Sequence, residues 1–512
     1  MHTSSPLKSL ISQLTKIHHL KDACAVLSWD QETYMPSGGG PARAEQIATL
    51  QTLAHDALTS SETEKLLGAW VDLSTGQLLK PAQTELEESA QALLREVWRD
   101  FDHAKKLPSA FVNKLERECS LAQQVWIEAR KKNDFALFLP NLRTVVALKL
   151  EETDYLGYAA SPYDALLDEY EPGFTIAKLK PLFSSLRPRL VALLQHVLNS
   201  SIKPNSSLLF QSFDITKQVE FGKMVLTKMG YQFDRGRLDL STHPFTTSFH
   251  PHDVRVTTRV FEKDFQSCLF SCIHEGGHGL YEQGLLPEQY GTPLGEAVSL
   301  GIHESQSRLW ENSVGRSRSF WEYAFPLAQT FFPDQLRDVH FDEFYLAVNT
   351  VQPSLIRVEA DELTYNLHIM IRFEIELALI EGQIQVEDLP SIWKEKVQEY
   401  LGITPDCDAN GVLQDVHWSF GAFGYFPTYT LGNLYAAMLY DQAKQERPDL
   451  EAGIATGQLL PLKEWLNQKV HRFGRQFNPD ELVRQVTGQT PSPEPFLTYL
   501  EEKFSSLYGF SI

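Results

Sequence analysis

The residues best equipped for chemistry lie in the stretch 271–284, which reads S-C-I-H-E-G-G-H-G-L-Y-E-Q-G. His274 and His278 are four apart, so on a helix their side chains leave one face about a turn from each other. Two imidazoles placed this way can reach a single metal ion. Glu275, next to the first histidine, can project toward a water on that ion and take its proton. This is the H-E-x-x-H pattern of zinc hydrolases, with the glutamate as general base. A catalytic zinc takes three protein ligands and keeps one position for water. The third ligand commonly comes from a second helix downstream, and two glutamates qualify. Glu296 and Glu304 follow His278 after 17 and 25 intervening residues. A helix predicted over 296–312 carries both on one face, about two turns apart. Spacing leaves the choice open, and the other glutamate is expected to hold a ligand histidine from behind.

The elements that must position these groups are read from periodicity. The motif helix is predicted over 261–283. Short alternating runs at 231–234, 238–241 and 254–259 predict a small sheet just before it. The strand nearest that helix is expected to offer an edge for an extended peptide. Before the sheet the chain reads as helix after helix, over 7–27, 42–58, 83–104, 108–131, 135–155 and 176–198, with an N-cap at Ser60 and turns at 35–41 and 172–173. After it, helices are predicted over 317–331, 341–351, 360–382, 389–401 and 429–444. There is no internal repeat or low-complexity tract.

Composition narrows the class. The chain has 512 residues, 43% hydrophobic and 22% charged, with a net charge of −20. Such a charge repels phosphate backbones, so no nucleic-acid partner is expected. Five scattered cysteines suit a reducing compartment better than a disulfide framework. Cys268 and Cys272 could be soft metal ligands; the better reading is small apolar residues on the buried face of the motif helix. No signal peptide or membrane-length apolar run is evident, so a cytoplasmic protein with no membrane partner is expected.

Further along, H-E-S-Q-S-R at 303–308 resembles a segment of the carboxypeptidase Taq family of zinc metallocarboxypeptidases. His243-Pro244-Phe245 resembles its H-P-F motif, and 253–257 resembles D-x-R-x-T. The stretch 356–361 resembles I-R-x-x-A-D, and 411–418 resembles G-x-x-Q-D-x-H-W. Stretches 27–30, 43–46 and 161–167 also look like family sequence, so the resemblance spans nearly the whole chain. It implies a mainly α fold: a large helical body split by a deep active-site groove, with a small β-sheet beside the zinc helix. Such a fold is of gluzincin type, similar to the angiotensin-converting-enzyme and oligopeptidase clans. A single metallocarboxypeptidase domain is expected over 1–512, with 1–230 a helical half and 231–512 carrying the zinc site and substrate groove.

The resemblance further implies Glu304 as third zinc ligand with His274 and His278, and Glu275 as general base. One zinc per chain is expected, with cobalt a candidate substitute. Partners are peptides with a free C-terminus and, as family members are commonly homodimers, a second copy. For the oxyanion the candidates are His417 and Tyr425, with Tyr429 the second choice of tyrosine. For the terminal carboxylate a guanidinium fork is suited, first Arg357 and then Arg255; His243 is a candidate for the pocket rim. The competing part for either arginine is an ion pair with Asp253, Glu359 or Asp361 that braces the fold, and most tyrosines are packing residues. Asp415 and Trp418 are read as structural. Gly276, Gly277 and Gly279 depart from the family, in which the first and last are more often alanine or another residue. A helical glycine costs roughly 1 kcal/mol relative to alanine, which a closely approaching helix would explain. Two other readings are a zinc endopeptidase or oligopeptidase of a related clan, and a weakly catalytic zinc scaffold that binds peptides.

Overall fold

The computed structural model describes residues 5–511. Helices dominate, and the described residues contain one three-stranded sheet. They group into two compact units, each assembled from separated stretches. One comprises residues up to Lys105 with Ser206–Val348 and Leu439–Gly488; the other comprises Lys106–Asn205, Asn349–Met438 and the chain from Gln489 on. No described helix is long and apolar enough to cross a membrane.

The first unit holds the sheet and the motif helix. The strands are β1 (Gly236–Leu240), β2 (Thr246–His250) and β3 (Asp253–Thr258), in the order β1-β3-β2. β1 runs parallel to β3 and β2 antiparallel to it. The prediction differs in three places. The run 231–234 is a loop: Gly230 takes φ 97° to cap the helix Ile215–Met229, and Tyr231 buries its ring while its hydroxyl donates to the Val254 carbonyl at 2.5 Å. β2 was not foreseen. The strand foreseen nearest the motif helix, β3, is central, so the sheet's edges are β1 and β2.

The motif helix spans Phe265–Gly284 and starts later than periodicity suggested. Asp264 caps it by accepting from the backbone N–H groups of Gln266 at 3.0 Å and Ser267 at 3.1 Å. Phe265, fully buried, anchors the first turn among Phe213, Phe332 and Phe344 at ring-centroid distances of 5.2, 5.5 and 6.2 Å. Aromatic pairs of this kind add about 0.5–1.5 kcal/mol each beyond burial.

Two predicted helices are broken. That over 83–104 becomes Lys80–Glu85 and Glu88–Lys106, because Leu86 turns extended (φ −110°, ψ 143°). That over 296–312 begins only at Leu300, capped by Ser299, and passes after Arg308 into a π-helical turn, Leu309–Val314. Glu296 therefore lies outside the helix in extended backbone (φ −113°, ψ 157°).

Glu296 has its own partners. Arg475 gathers three carboxylates: Glu96 and Glu296 at 3.0 Å each, and Asp100 at 2.6 and 3.0 Å. The neighbouring Gly474 (φ 49°) passes so close to Leu294 that a Cβ there would meet its carbonyl oxygen at 1.8 Å. Arg475→Met should therefore lower stability by roughly 3 kcal/mol, since three half-buried carboxylates lose their common cation. Denaturant unfolding checks this; a loss under 0.5 kcal/mol is the contrary result.

Candidate active site

The motif helix and the helix Leu300–Arg308 cross at very short range. A Cβ on Gly277 would stand 2.6 Å from the Gln306 carbonyl oxygen and 2.7 Å from Ser307 Cα, both backbone atoms. On Gly276 it would meet the ends of two flexible side chains, Leu226 at 2.3 Å and Met229 at 3.3 Å, and on Gly279 the side chains of Tyr231 and Val256, at 3.0 Å. The glycines are thus answers to crowding. The crossing brings Glu304 to the histidine pair: its Oε2 is 3.6 Å from His274 Nε2 and 3.4 Å from His278 Nε2. Among the described residues these three form the one group of His, Cys, Asp or Glu side chains so arranged, with ligand atoms within 4.8 Å of one another. Tetrahedral ligands bound at about 2.1 Å stand about 3.4 Å apart, so this donor set fits a divalent ion. Cys268 and Cys272 are fully buried free thiols outside that group.

The far side of each imidazole is held. His274 Nδ1 meets Glu311 Oε2 at 2.8 Å. His278 Nδ1 meets His303 Nδ1 at 2.5 Å, and His303 Nε2 meets Glu282 Oε1 at 2.8 Å. These contacts turn both Nε2 atoms toward Glu304, the usual way a protein orients metal-ligating imidazoles. Burial, with His303 beside it, pushes His278 down to about 3, so its ring is the neutral form that binds metal. Burial opposes charge on Glu311, but Arg308 and His274 outweigh it and hold its carboxyl at about 2. Burial likewise opposes charge on Glu304, and Arg308 and His274 hold it well below the usual range.

Glu275 is 6% exposed and its carboxyl is raised, burial being the largest cause. Thr246 Oγ1, on β2, lies 2.8 Å from Glu275 Oε2 and 2.9 Å from its carbonyl oxygen. Thr246 and Glu311 escaped the sequence reading. The run T-T-S-F-H at 246–250 has Phe249 as its one apolar residue, so no alternation marks the strand, whereas the spacing Glu304, Arg308, Glu311 (i, i+4, i+7) marks one helical face.

Of the other first-unit candidates, His243 is exposed on the loop between β1 and β2. Arg255 is bound to Asp253 through Nε and Nη2, each at 2.9 Å, and lies over the rings of Trp29 (4.3 Å) and Phe249 (4.8 Å). The second unit gathers the remaining four. Arg357, 5% exposed, lies over the Tyr429 ring at 5.1 Å. His417 Nε2 is 3.4 Å from Tyr429 Oη, and its ring is 5.2 Å from that of Tyr425. Arg357 pairs with Asp415 through Nε (2.9 Å) and Nη2 (2.8 Å), and its Nη1 donates to Tyr365 Oη at 3.1 Å. Asp415, rather than Asp253, Glu359 or Asp361, is its carboxylate partner. Arg372 binds the other oxygen of Asp415, at 2.7 and 2.6 Å.

A helical chain with an H-E-x-x-H helix and a crossing glutamate belongs among the metallopeptidases. Comparison with known proteins narrows this: the chain belongs to the carboxypeptidase Taq (M32) metallopeptidase family, whose model matches residues 9–504. It is similar to thermostable carboxypeptidase 1 of Thermus thermophilus, 44% identical over 519 residues and covering 99% of this chain and 100% of that protein. Carboxypeptidase 1 of Bacillus subtilis is 41% identical, covering 98% of each. The crystal structure of an M32 carboxypeptidase from Deinococcus radiodurans matches with a TM-score of 0.94 and 39% identity, covering 99% of this chain and 100% of that one. The chain is accordingly a metallocarboxypeptidase, a hydrolase of peptides.

The glycine contacts make a paired prediction. Gly277→Ala should weaken divalent-metal binding at least about tenfold, although alanine is the better helix former by roughly 1 kcal/mol, because only backbone can yield. Gly276→Ala should leave metal binding within about twofold, since the ends of Leu226 and Met229 can swing aside. Competition titration with a chromogenic chelator reads both; equal affinities would contradict this account.

Proposed function

We propose that the protein trims residues from peptide C-termini with zinc held by His274, His278 and Glu304, with Glu275 as the proton acceptor. The observation that carries this is the convergence of two oriented Nε2 atoms and one carboxylate beside a buried glutamate. Zinc bound there would polarise the scissile carbonyl and make a water acidic near neutral pH. Glu275 receives that water's proton. Its burial raises its basicity, and the Thr246 hydroxyl fixes the carboxylate. Two imidazoles and a carboxylate also suit cobalt.

His417 and Tyr425 are the donors to the developing oxyanion. Burial, then the nearby Arg357, pushes His417 down to about 3, so at neutral pH it is an uncharged imidazole. Its Nε2 makes a long contact with the Tyr429 hydroxyl, at 3.4 Å, which supports that nitrogen as the one kept for substrate. Tyr429 orients His417 and lines the same wall.

Arg357 binds the terminal carboxylate. A guanidinium has five N–H groups; Asp415 and Tyr365 engage one edge and one further donor. Two buried arginines share the single carboxylate of Asp415, which leaves one positive charge for a substrate anion to match. Arg255 already has its carboxylate and is the brace of β3, and exposed His243 borders the substrate path. The family match over residues 9–504 supports one functional domain, five free cysteines support a cytoplasmic setting, and the homodimer rests on the family resemblance.

Two experiments test this. Glu275→Gln should retain zinc and lose about 10³-fold or more in kcat on a blocked dipeptide; full activity would refute the base. Arg357→Ala should lower kcat/KM roughly hundredfold on peptides with a free C-terminus and much less on amidated ones. Equal loss on both would remove its assigned role.

A further inference from the structure

The segment from His417 to Tyr425 is a short turn and loop whose path follows no strand or long helix. The 3-10 turn His417–Phe420 leads through Gly421 (φ 79°) and Gly424 (φ 86°) into the helix Pro427–Glu446. Both glycines take a left-handed backbone that other residues adopt only with strain. At Gly424 a Cβ would also strike the Leu166 backbone at 2.6 Å. Such a loop needs an external tie to keep its side chains in register.

One side chain supplies it. Glu376, on the helix Tyr365–Ile380, is fully buried. Its Oε1 accepts from Trp418 Nε1 at 2.8 Å. Its Oε2 accepts from the Gly424 backbone N–H at 3.1 Å and from the Tyr163 hydroxyl at 2.7 Å. Trp418 directly follows His417, and Gly424 directly precedes Tyr425. The carboxylate thus grips the loop at both ends, one residue inward from each proposed oxyanion donor. Tyr163 fixes the carboxylate from outside the loop; it is the second residue of the helix Pro162–Asp168, capped by Ser161, and is itself fully buried. Burial pushes the Glu376 carboxyl up to about 7 against those three donors. An apolar residue would avoid that cost, so the carboxylate answers a need other than filling space.

We infer that Glu376 is a positioning residue for catalysis, setting the spacing of His417 and Tyr425 by holding both ends of their loop. This rests on the proposed role of His417 and Tyr425 as oxyanion donors. The group touches no reacting atom; it acts through the loop. A glutamine in its place offers one acceptor oxygen and turns an N–H₂ toward at least one of the three donors, so one end of the loop is released. Because the donors act on the transition state, the loss falls on kcat and spares KM.

The test is a double-mutant cycle on the zinc-loaded enzyme, with kcat, KM, zinc content and melting temperature measured for each variant. Glu376→Gln is expected to lower kcat roughly ten- to hundredfold with KM changed less than about twofold and zinc retained. In a His417→Ala background the same change should cost at least about twofold less than in the parent enzyme, since one of the two donors it positions is gone. Trp418→Phe removes one of the three donors while keeping an aromatic ring in place and should lower kcat at least about threefold, so it carries the test if Glu376→Gln fails to fold. A His417→Ala enzyme with unchanged kcat overturns the role of His417 and this inference with it. An impaired His417→Ala enzyme beside an undiminished Glu376→Gln enzyme overturns this inference alone. So does a Glu376→Gln cost that is equally large in both backgrounds.

Discussion

The contact on which the first unit depends is the approach of two helix backbones at Gly277. Helices usually pack 8–10 Å apart because side chains stand between them. Here the Gln306 carbonyl and Ser307 Cα occupy the place of a Cβ. This nearness lets a carboxylate on one helix share a point with two imidazoles on the other. The crossing residues Ser305, Gln306 and Ser307 are fully buried, and each has a hydrogen-bond partner. Gln306 Oε1 meets His471 Nε2 at 2.8 Å, fixing the crossing helix from its other side. The helix propensity given up by the glycines, roughly 1 kcal/mol each, is set against this packing and the energy of metal binding.

The polar shell follows from the crossing. Once both Nε2 atoms are committed inward, each Nδ1 must find a partner in a nearly dry environment, since an unmatched buried polar group costs about 1–3 kcal/mol. Glu311 serves one ring directly and Glu282 serves the other through His303. Glu311 is reachable because the helix widens into a π-helical turn after Arg308, a device common at functional sites. Arg308 then contacts both Glu304, at 2.6 Å, and Glu311, at 3.3 Å, which keeps two neighbouring carboxylates ionised.

Local spacing made part of this legible. The H-E-x-x-H repeat declares itself, since a helix fixes what four residues apart must do. Spacing failed between Glu296 and Glu304, because the helix boundary that separates them lies between Glu296 and the Ser299 cap. The contacts of Glu296 with Arg475 and His18 come from distant parts of the chain, and no local pattern signals them. β2 went unread because its five residues follow a proline-containing turn, and Thr246 with it. The break at Leu86 was hidden within a continuous helical periodicity. The extent of the helical body and the presence of a small sheet were legible, whereas the sheet's order was not: a parallel β1–β3 pair with β2 on the far edge is a matter of long-range pairing.

The second unit shows a different economy of charge. Asp415 sits between Arg357 and Arg372, and burial alone would favour its neutral form, yet the two guanidinium groups hold it well below the usual carboxylate range. Replacing such a triad by apolar residues is often neutral or stabilising, so its persistence in a core asks for another reason. Asp415 takes Nε and one Nη of Arg357, and Tyr365 takes the other Nη, so the guanidinium plane is fixed before any ligand arrives. A fork fixed in advance loses little side-chain entropy on binding a carboxylate. Burial, and then Arg357 and Arg372 against the opposing pull of Asp415, pushes His417 toward its neutral form. One arrangement of charge thus suits both parts proposed for this unit: a rigid cation for the substrate's terminus and an uncharged donor for its carbonyl.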